Sequence, residues 1–258
     1  MKRRSPSPAT SAAGPPTGSS SPFPYADYVR VKQLLQKSLR YGPRFYGLVW
    51  ALSGMGKTSL LRDINTDLDR HRHQVVYVSS SNASVVGIVR FLAQTLHVSP
   101  RRSYLETVQV LSEAIRAQPA QLLLWIDEAD QMETATLQEI RMLVESDLGT
   151  EPLATVVFSG LPALVAHLDA PSLFPLRRRL TLRCSLAGLR RDELDPFLDH
   201  RFGSTDAQRI PTSVRDELFE RTQATPALID TVIRQSLAGK DGRLDAEDVR
   251  AVLDTHGL

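Results

Sequence analysis

Trp50 to Leu61 read WALSGMGKTSLL, and no other stretch constrains the fold as tightly. A loop that wraps an anion must expose successive backbone N–H groups and then present the anion to a helix N-terminus. Gly54 and Gly56 permit the tight turn and the close approach. Lys57 is placed to reach β- and γ-phosphates, and Thr58 offers a hydroxyl to Mg²⁺. The phosphate-facing set is Ser53, Gly54, Met55, Gly56, Lys57, Thr58 and Ser59. One position departs from the usual pattern: Ala51 stands where the first glycine is expected, with four residues between it and Gly56. A Cβ there costs backbone freedom but removes no phosphate ligand, so the predicted damage is modest. On its own the run is still open to a plainer reading, a chance helix start.

A second motif narrows the choice. In LLLWIDEAD, Leu122 to Asp130, an apolar run ends abruptly in acids. Asp127 and Glu128 then fall at the carboxyl end of a buried strand, where open α/β sheets bind ligands. Asp127 is suited to hold Mg²⁺ through water and Glu128 to polarise an attacking water, the two tasks phosphoryl transfer requires. Paired acids after an apolar run often only start a helix. The order of the two motifs, about 70 residues apart, is what marks a nucleotide site.

The rest of the chain alternates between the two periodicities. Strand-like runs are expected at Tyr46 to Ala51, Gln74 to Ser80, the LLLWI segment, Leu153 to Gly160 and Arg179 to Cys184. Helical spacing is expected at Tyr28 to Leu39, Lys57 to about Arg70, Val85 to Leu96, Tyr104 to Ala117 and Thr134 to Leu148. Strands alternating with helices imply an α/β fold: a parallel five-stranded sheet with helices on both faces. Continuous apolar strands such as LLLWI fit a sheet buried on both sides. Beyond Leu186 the strand signal stops. Four short helices are expected at Arg191 to Phe202, Pro211 to Thr222, Pro226 to Leu237 and Ala246 to Thr255, a small all-helical domain. The predicted organisation is a Pro/Ser-rich basic tail over 1–22, an α/β nucleotide-binding domain over 23–187 and a helical domain over 188–258.

Composition excludes some classes. The single cysteine, Cys184, rules out an internal disulfide and a cysteine metal cluster, and fits packing in a reducing, cytoplasmic setting. No apolar run approaches the roughly 18 residues that span a bilayer. The first residues lack the apolar stretch of a secretory signal; a solvated basic tail is the expectation, with an organellar transit peptide, suggested by the Arg- and Ser-containing, acid-free composition, as the alternative. A net charge of +2 leaves room for a local basic face without requiring a nucleic-acid partner.

With the two motifs followed by a helical tail, the chain resembles the AAA+ ATPases. Within them it resembles the ExeA/MuB/TnsC/TniB group of secretion-associated ATPases and transposition target-selection ATPases. The landmarks are GMGKTSLLR, LLLWIDEAD, VVFSGLPAL, LRRRLTLRCSLAGL and TPALIDTVIRQSL, and the resemblance covers roughly Pro22 to Leu258. It implies a P-loop AAA+ domain with a helical lid, ATP and Mg²⁺ as ligands, and Ser159 near the position called sensor 1. Leu161 stands where the group often has Gln. Arg179 matches a finger arginine that acts on a neighbouring subunit, with Arg178 as the alternative. The lid departs most clearly, because ATPA puts Ala227 where a sensor arginine is usual. That departure implies slow, switch-like hydrolysis or a lid less tightly coupled to nucleotide.

The function the resemblance implies is ATP-dependent assembly on double-stranded DNA, without sequence specificity, by a homo-oligomeric ring or helical filament. A transposase, and a target-selector protein, are the implied partners, with no membrane involved. Lys2, Arg3, Arg4 and the Arg177–Arg179 run are candidate phosphate contacts. Two other classes stay open at this point: a secretion-associated ATPase, and a nucleotide-switch module of signalling or defence.

Overall fold

The computed structural model describes residues 21–79, 84–145, 152–238 and 244–258. The described residues form two compact units, Pro24–Gly188 and a second comprising Leu189–Leu258 with the segment ending at Phe23. The tail arginines Arg3 and Arg4 and Lys2 lie outside the described residues.

The larger unit is built on five strands: β1 (Tyr46–Trp50), β2 (His73–Ser79), β3 (Gln121–Asp127), β4 (Thr155–Gly160) and β5 (Leu180–Ser185). They form one sheet in the order β2-β3-β4-β1-β5, and every pairing is parallel. Parallel strands must be joined by crossovers, and here helices supply them. These are α2 (Lys57–Asp67), α3 (Val85–Thr95), α4 (Tyr104–Ala117), α5 (Thr134–Val144) and the short α6 (Ala163–Leu168) and α7 (Phe174–Arg177), while α1 (Ala26–Tyr41) precedes β1. Helices on both faces explain why β3 is apolar without alternation. From Leu122 to Asp127 every residue of that strand is buried, and Leu124, Trp125 and Ile126 expose nothing.

Several predicted boundaries move. Helix α2 stops at Asp67, because Leu68 turns extended and the chain must enter β2. Strand β4 begins at Thr155 and β5 at Leu180, each one or two residues after its predicted start. Helix α5 is described to Val144, and its predicted extension toward Leu148 leaves the described residues. The sequence pattern did not announce α6 and α7, two helices of six and four residues, too short to show a clear period.

Local caps account for where some helices begin. Ser103 accepts from the Glu106 backbone N–H at 3.1 Å while the Glu106 carboxylate reaches back to the Ser103 N–H, a reciprocal cap on α4. Helix α1 is tied to α2 by polar side chains: the Tyr28 hydroxyl donates to Asp63 at 2.9 Å, and Lys32 lies 2.9 Å from Asp67. Cys184 is buried in β5, and that burial pushes its thiol up from the ordinary value, as expected of a packing cysteine.

The smaller unit contains α8 (Leu194–Arg209), α9 (Thr212–Arg221), α10 (Pro226–Leu237) and α11 (Ala246–Thr255). The predicted helix from Arg191 to Phe202 is shifted. A single tight turn over Arg191–Glu193 precedes α8, which runs on to Arg209 across a break at Gly203, where φ is 76°. Only glycine adopts that backbone at little cost. Leu194, Phe197, Leu198, Phe202, Val214, Leu218, Ile229, Ile233 and Val249 supply its core.

At the end of β4, Gly160 has no room for a side chain. An added Cβ would press into the Asp130 carboxylate and lie 3.2 Å from the Asp130 backbone nitrogen. That carboxylate accepts from the Leu161 N–H at 2.8 Å and so binds the exit of β4 to the turn after β3. We expect Gly160→Ala to destabilise the fold by about 1–3 kcal/mol, read as a lowered Tm in thermal unfolding. An unchanged Tm would contradict this packing.

Candidate functional site

The strand order decides where chemistry is placed. β4 lies between β1 and β3, so the carboxyl ends of all three emerge side by side, and the chain leaves them in different directions. That is the arrangement in which open α/β sheets bind ligands.

From β1 the chain enters the loop. Gly54 and Gly56 take φ of 81° and 99°, left-handed backbone that side chains disfavour. Gly56 caps α2, which has no side-chain cap and no acidic residue in its first turn. Its first N–H groups therefore meet the loop with no carboxylate competing for them, as an anion requires. Met55 is buried, and its carbonyl accepts from the buried Tyr25 hydroxyl at 2.6 Å, which holds the loop from below. Ser53 and Ser59 belong to this same loop and first helical turn.

Ala51 accommodates its Cβ. The residue is buried, it is absent from the left-handed positions, and its N–H continues the β1–β4 ladder to the Gly160 carbonyl at 3.1 Å. Its own carbonyl accepts from Lys57 Nζ at 2.9 Å, and the Leu52 carbonyl does so at 3.1 Å. Burial holds the Lys57 ammonium below its ordinary value, against the opposing pull of Asp127, Asp130 and Glu128. A half-buried ammonium resting on two neutral carbonyls gains from an incoming anion.

From β3 comes the acidic partner. Asp127 is buried, and hydroxyls from three directions satisfy it. Thr58 donates to Oδ2 at 3.0 Å, Tyr77 to the same oxygen at 3.2 Å, and Ser159 to Oδ1 at 2.7 Å. Thr58 and Asp127, predicted as metal ligands from opposite ends of the sequence pattern, thus lie within one hydrogen bond. A hydroxyl and a carboxylate belong to the hard-oxygen donors that Mg²⁺ takes. The residues present fit that ion.

Glu128 follows at φ 54° and ψ 32°, a left-handed conformation uncommon for a side-chain-bearing residue. The turn swings its side chain out of the sheet: Glu128 is exposed where Asp127 is buried, and its carboxylate accepts from Ser79 Oγ at 3.2 Å. Backbone held in this region clusters at sites that need a group aimed outward.

Three further residues at this edge were not singled out in the sequence: Tyr77, Ser79 and Trp125. Strand parity carries the signal, because residues two apart face the same way. Tyr77 and Ser79 share a face of β2, as Trp125 and Asp127 do on β3. The Trp125 indole donates to Ser159 Oγ at 2.8 Å.

Arg179 lies elsewhere. The pairing of Tyr46 with Leu180 puts it beside the amino end of β1, roughly 15 Å of strand from the loop. It forms an ion pair with Glu145, which also takes Arg141 at 2.8 Å. Arg178 and Arg177 stack near the half-exposed Phe174 ring, at 5.6 Å and 5.4 Å. In the helical unit Ala227 is exposed in the first turn of α10. Arg234, two turns on, pairs with Asp230 at 2.9 Å and covers Phe202 at 5.4 Å.

Residues 43–168 match the family model described as AAA domain. No curated protein matches the chain. Among solved structures the chain is similar to the ORC2 protein of Aeropyrum pernix in its ADP form, at 15% identity and TM-score 0.62, covering 90% of this chain and 68% of that one. It is also similar to the ORC1 protein of Aeropyrum pernix in complex with DNA, at 15% identity and TM-score 0.58, covering 89% of this chain and 64% of that one. A RuvB mutant of Thermotoga maritima gives 15% identity and TM-score 0.56, covering 88% and 68%. The chain thus spans less than two thirds of the ORC1 protein's length. These likenesses show the fold, a P-loop AAA+ sheet followed by helices.

If Ala51 is as benign as its backbone indicates, Ala51→Gly will leave nucleotide affinity unchanged and cost about 0.5–1 kcal/mol of stability. Calorimetric titration with ADP and Mg²⁺ checks the first and thermal unfolding the second. A tenfold gain in affinity would contradict the reading.

Proposed function

We propose that the chain is an ATP-hydrolysing AAA+ regulator of DNA transposition. It assembles with copies of itself on double-stranded DNA without sequence preference, and it recruits or activates a transposase. The observation that carries the nucleotide part is the convergence of Lys57, Thr58, Asp127 and the exposed Glu128 at one sheet edge.

In this reading Lys57 exchanges its two carbonyl contacts for the β- and γ-phosphate oxygens. The N–H groups at the start of α2 receive the phosphates, with Gly54 and Gly56 keeping the backbone close. Bound Mg²⁺ would neutralise charge on the phosphates, held by Thr58 and, through water, by Asp127. Glu128 orients and polarises the attacking water. Arg179 sits at the amino end of the strands, opposite its own loop, which favours action on the neighbouring subunit's γ-phosphate.

The departures in the helical unit favour a slow switch over a motor. Ala227 offers no cation, and Arg234 is committed to Asp230 and Phe202. For the DNA part, the support is the resemblance of the motif landmarks to the transposition ATPases, the basic residues Lys2, Arg3, Arg4, Arg177 and Arg178, and the similar ORC1 structure in complex with DNA. Such contacts act through phosphate and weaken as salt rises. No helix of the described residues is long and apolar enough to cross a membrane.

Binding to duplex DNA of arbitrary sequence, with ATP, ADP or no nucleotide, tests the proposal when the products are viewed by electron microscopy. Rings or filaments are expected at low salt with ATP and Mg²⁺, and none with Lys57→Ala. The absence of DNA binding by the unaltered chain under those conditions would overturn the transposition reading. Mixing Arg179→Ala with Lys57→Ala should restore part of the hydrolysis each lacks alone, since mixed interfaces pair an intact loop with an intact arginine. No recovery on mixing would remove Arg179 from the finger role.

A further inference from the structure

The geometry points to Trp125 and Ser159 as a positioning pair that aims the Asp127 carboxylate, with Ser159 acting through Asp127 and making no contact with phosphate. The inference rests on the nucleotide reading above and deepens it. A serine at this strand end is open to two roles: donor to a γ-phosphate, or holder of the metal-side carboxylate. The hydrogen-bond bookkeeping selects the second.

An indole nitrogen has a proton to give and no lone pair to accept with. In the 2.8 Å contact between Trp125 Nε1 and Ser159 Oγ, the serine oxygen is therefore the acceptor. The serine's single proton must go elsewhere. Its other polar neighbours are Asp127 Oδ1 at 2.7 Å and the Ile126 carbonyl at 3.4 Å. The shorter contact is also to the carboxylate, where a hydrogen bond is stronger, so the proton points at Asp127. Trp125 and Ser159 expose nothing and Asp127 only 4%, so little water competes for either bond. A side chain with no exposed surface and a committed proton has nothing to offer a phosphate.

What the pair accomplishes follows from the two oxygens of Asp127. Oδ1 takes the Ser159 hydroxyl at 2.7 Å and the Glu128 backbone N–H at 3.0 Å, and Oδ2 takes Thr58 and Tyr77. Holding Oδ1 fixes the carboxylate's rotation, so Oδ2 is presented to the Thr58 side where the metal would bind. The register explains why these two residues do it. Ile126 pairs with Phe158, so Asp127 and Ser159 follow on adjacent strands, and Trp125 lies two residues before Asp127 on the same face. Partners that orient a metal-binding carboxylate tune the ion's affinity although they never touch it.

The test uses the full chain as wild type, Trp125→Phe, Ser159→Ala and the double variant. ADP and ATP binding are measured by calorimetry over a Mg²⁺ series and in EDTA. Each single variant should raise the Mg²⁺ concentration needed for tight ADP binding by roughly three- to tenfold. Binding in EDTA and the preference for ATP over ADP should not change. The double variant should be no weaker than Ser159→Ala, because the two residues act in series. A Ser159→Ala protein that loses its ATP-over-ADP preference, or additive losses in the double variant, would overturn the proposal.

A second readout does not require nucleotide, and it still decides the link if Trp125→Phe fails to fold. The chain has two tryptophans, Trp50 and Trp125, so ¹⁵N-labelled protein gives two indole N–H signals. The Trp125 signal should exchange slowly in wild type and shift upfield in Ser159→Ala. A Trp125 signal unmoved by Ser159→Ala would break the pair. Failure of wild type to bind any nucleotide would sink the nucleotide reading and leave the indole result standing by itself.

Discussion

A carboxylate buried at the end of an apolar strand is the constraint on which the rest of the site depends. Ionised groups taken from water cost several kcal/mol unless partners replace the lost hydration. Asp127 is backed by Leu122, Leu123, Leu124, Trp125 and Ile126, all buried. Apart from the Glu128 backbone N–H, which donates to Oδ1 at 3.0 Å, its partners come from other elements, and each element supplies one: Thr58 from α2, Tyr77 from β2, Ser159 from β4. Satisfying one charge thus binds the loop, the acid strand and the strand between them into a single unit. The sheet order makes this feasible, because β4 is inserted between β1 and β3 and β2 flanks β3 on the other side.

Much of this was legible in the sequence, for stated reasons. Gly54, Gly56 and Lys57 are legible because an anion loop needs left-handed backbone and a cation, and few other residues supply them. Asp127 and Glu128 are legible because acids rarely close a fully apolar strand. Most helices follow from period, and strands such as β3 from short continuous apolar runs. What stayed hidden was the company these residues keep. Nothing in QVVYVSS says that Tyr77 and Ser79 turn toward the acids of another strand, since that depends on β2 pairing with β3. Trp125 reads as core, and is core, and its indole proton matters only once Ser159 is known to lie across from Asp127. Short elements such as α6 were equally silent, because six residues are too few to display a period.

The two alanines that depart from pattern carry unequal weight. Ala51 sits in ordinary backbone, continues the ladder to Gly160 and lends its carbonyl to Lys57, so the position performs its tasks with a Cβ present. Ala227 stands where the resemblance implies a sensor arginine, and Arg234 is held by Asp230 within its own unit. In the proposed reading, lack of that arginine favours firm binding and slow turnover.

The most direct measurement is phosphate release from ATP by the purified chain with Mg²⁺, set against Glu128→Gln, with nucleotide binding measured on both. The account predicts slow but definite release by the wild type, loss of release on removing the Glu128 carboxylate, and undiminished ATP binding by the variant. Equal rates in the two proteins, or a Glu128→Gln chain that no longer binds ATP, would contradict it.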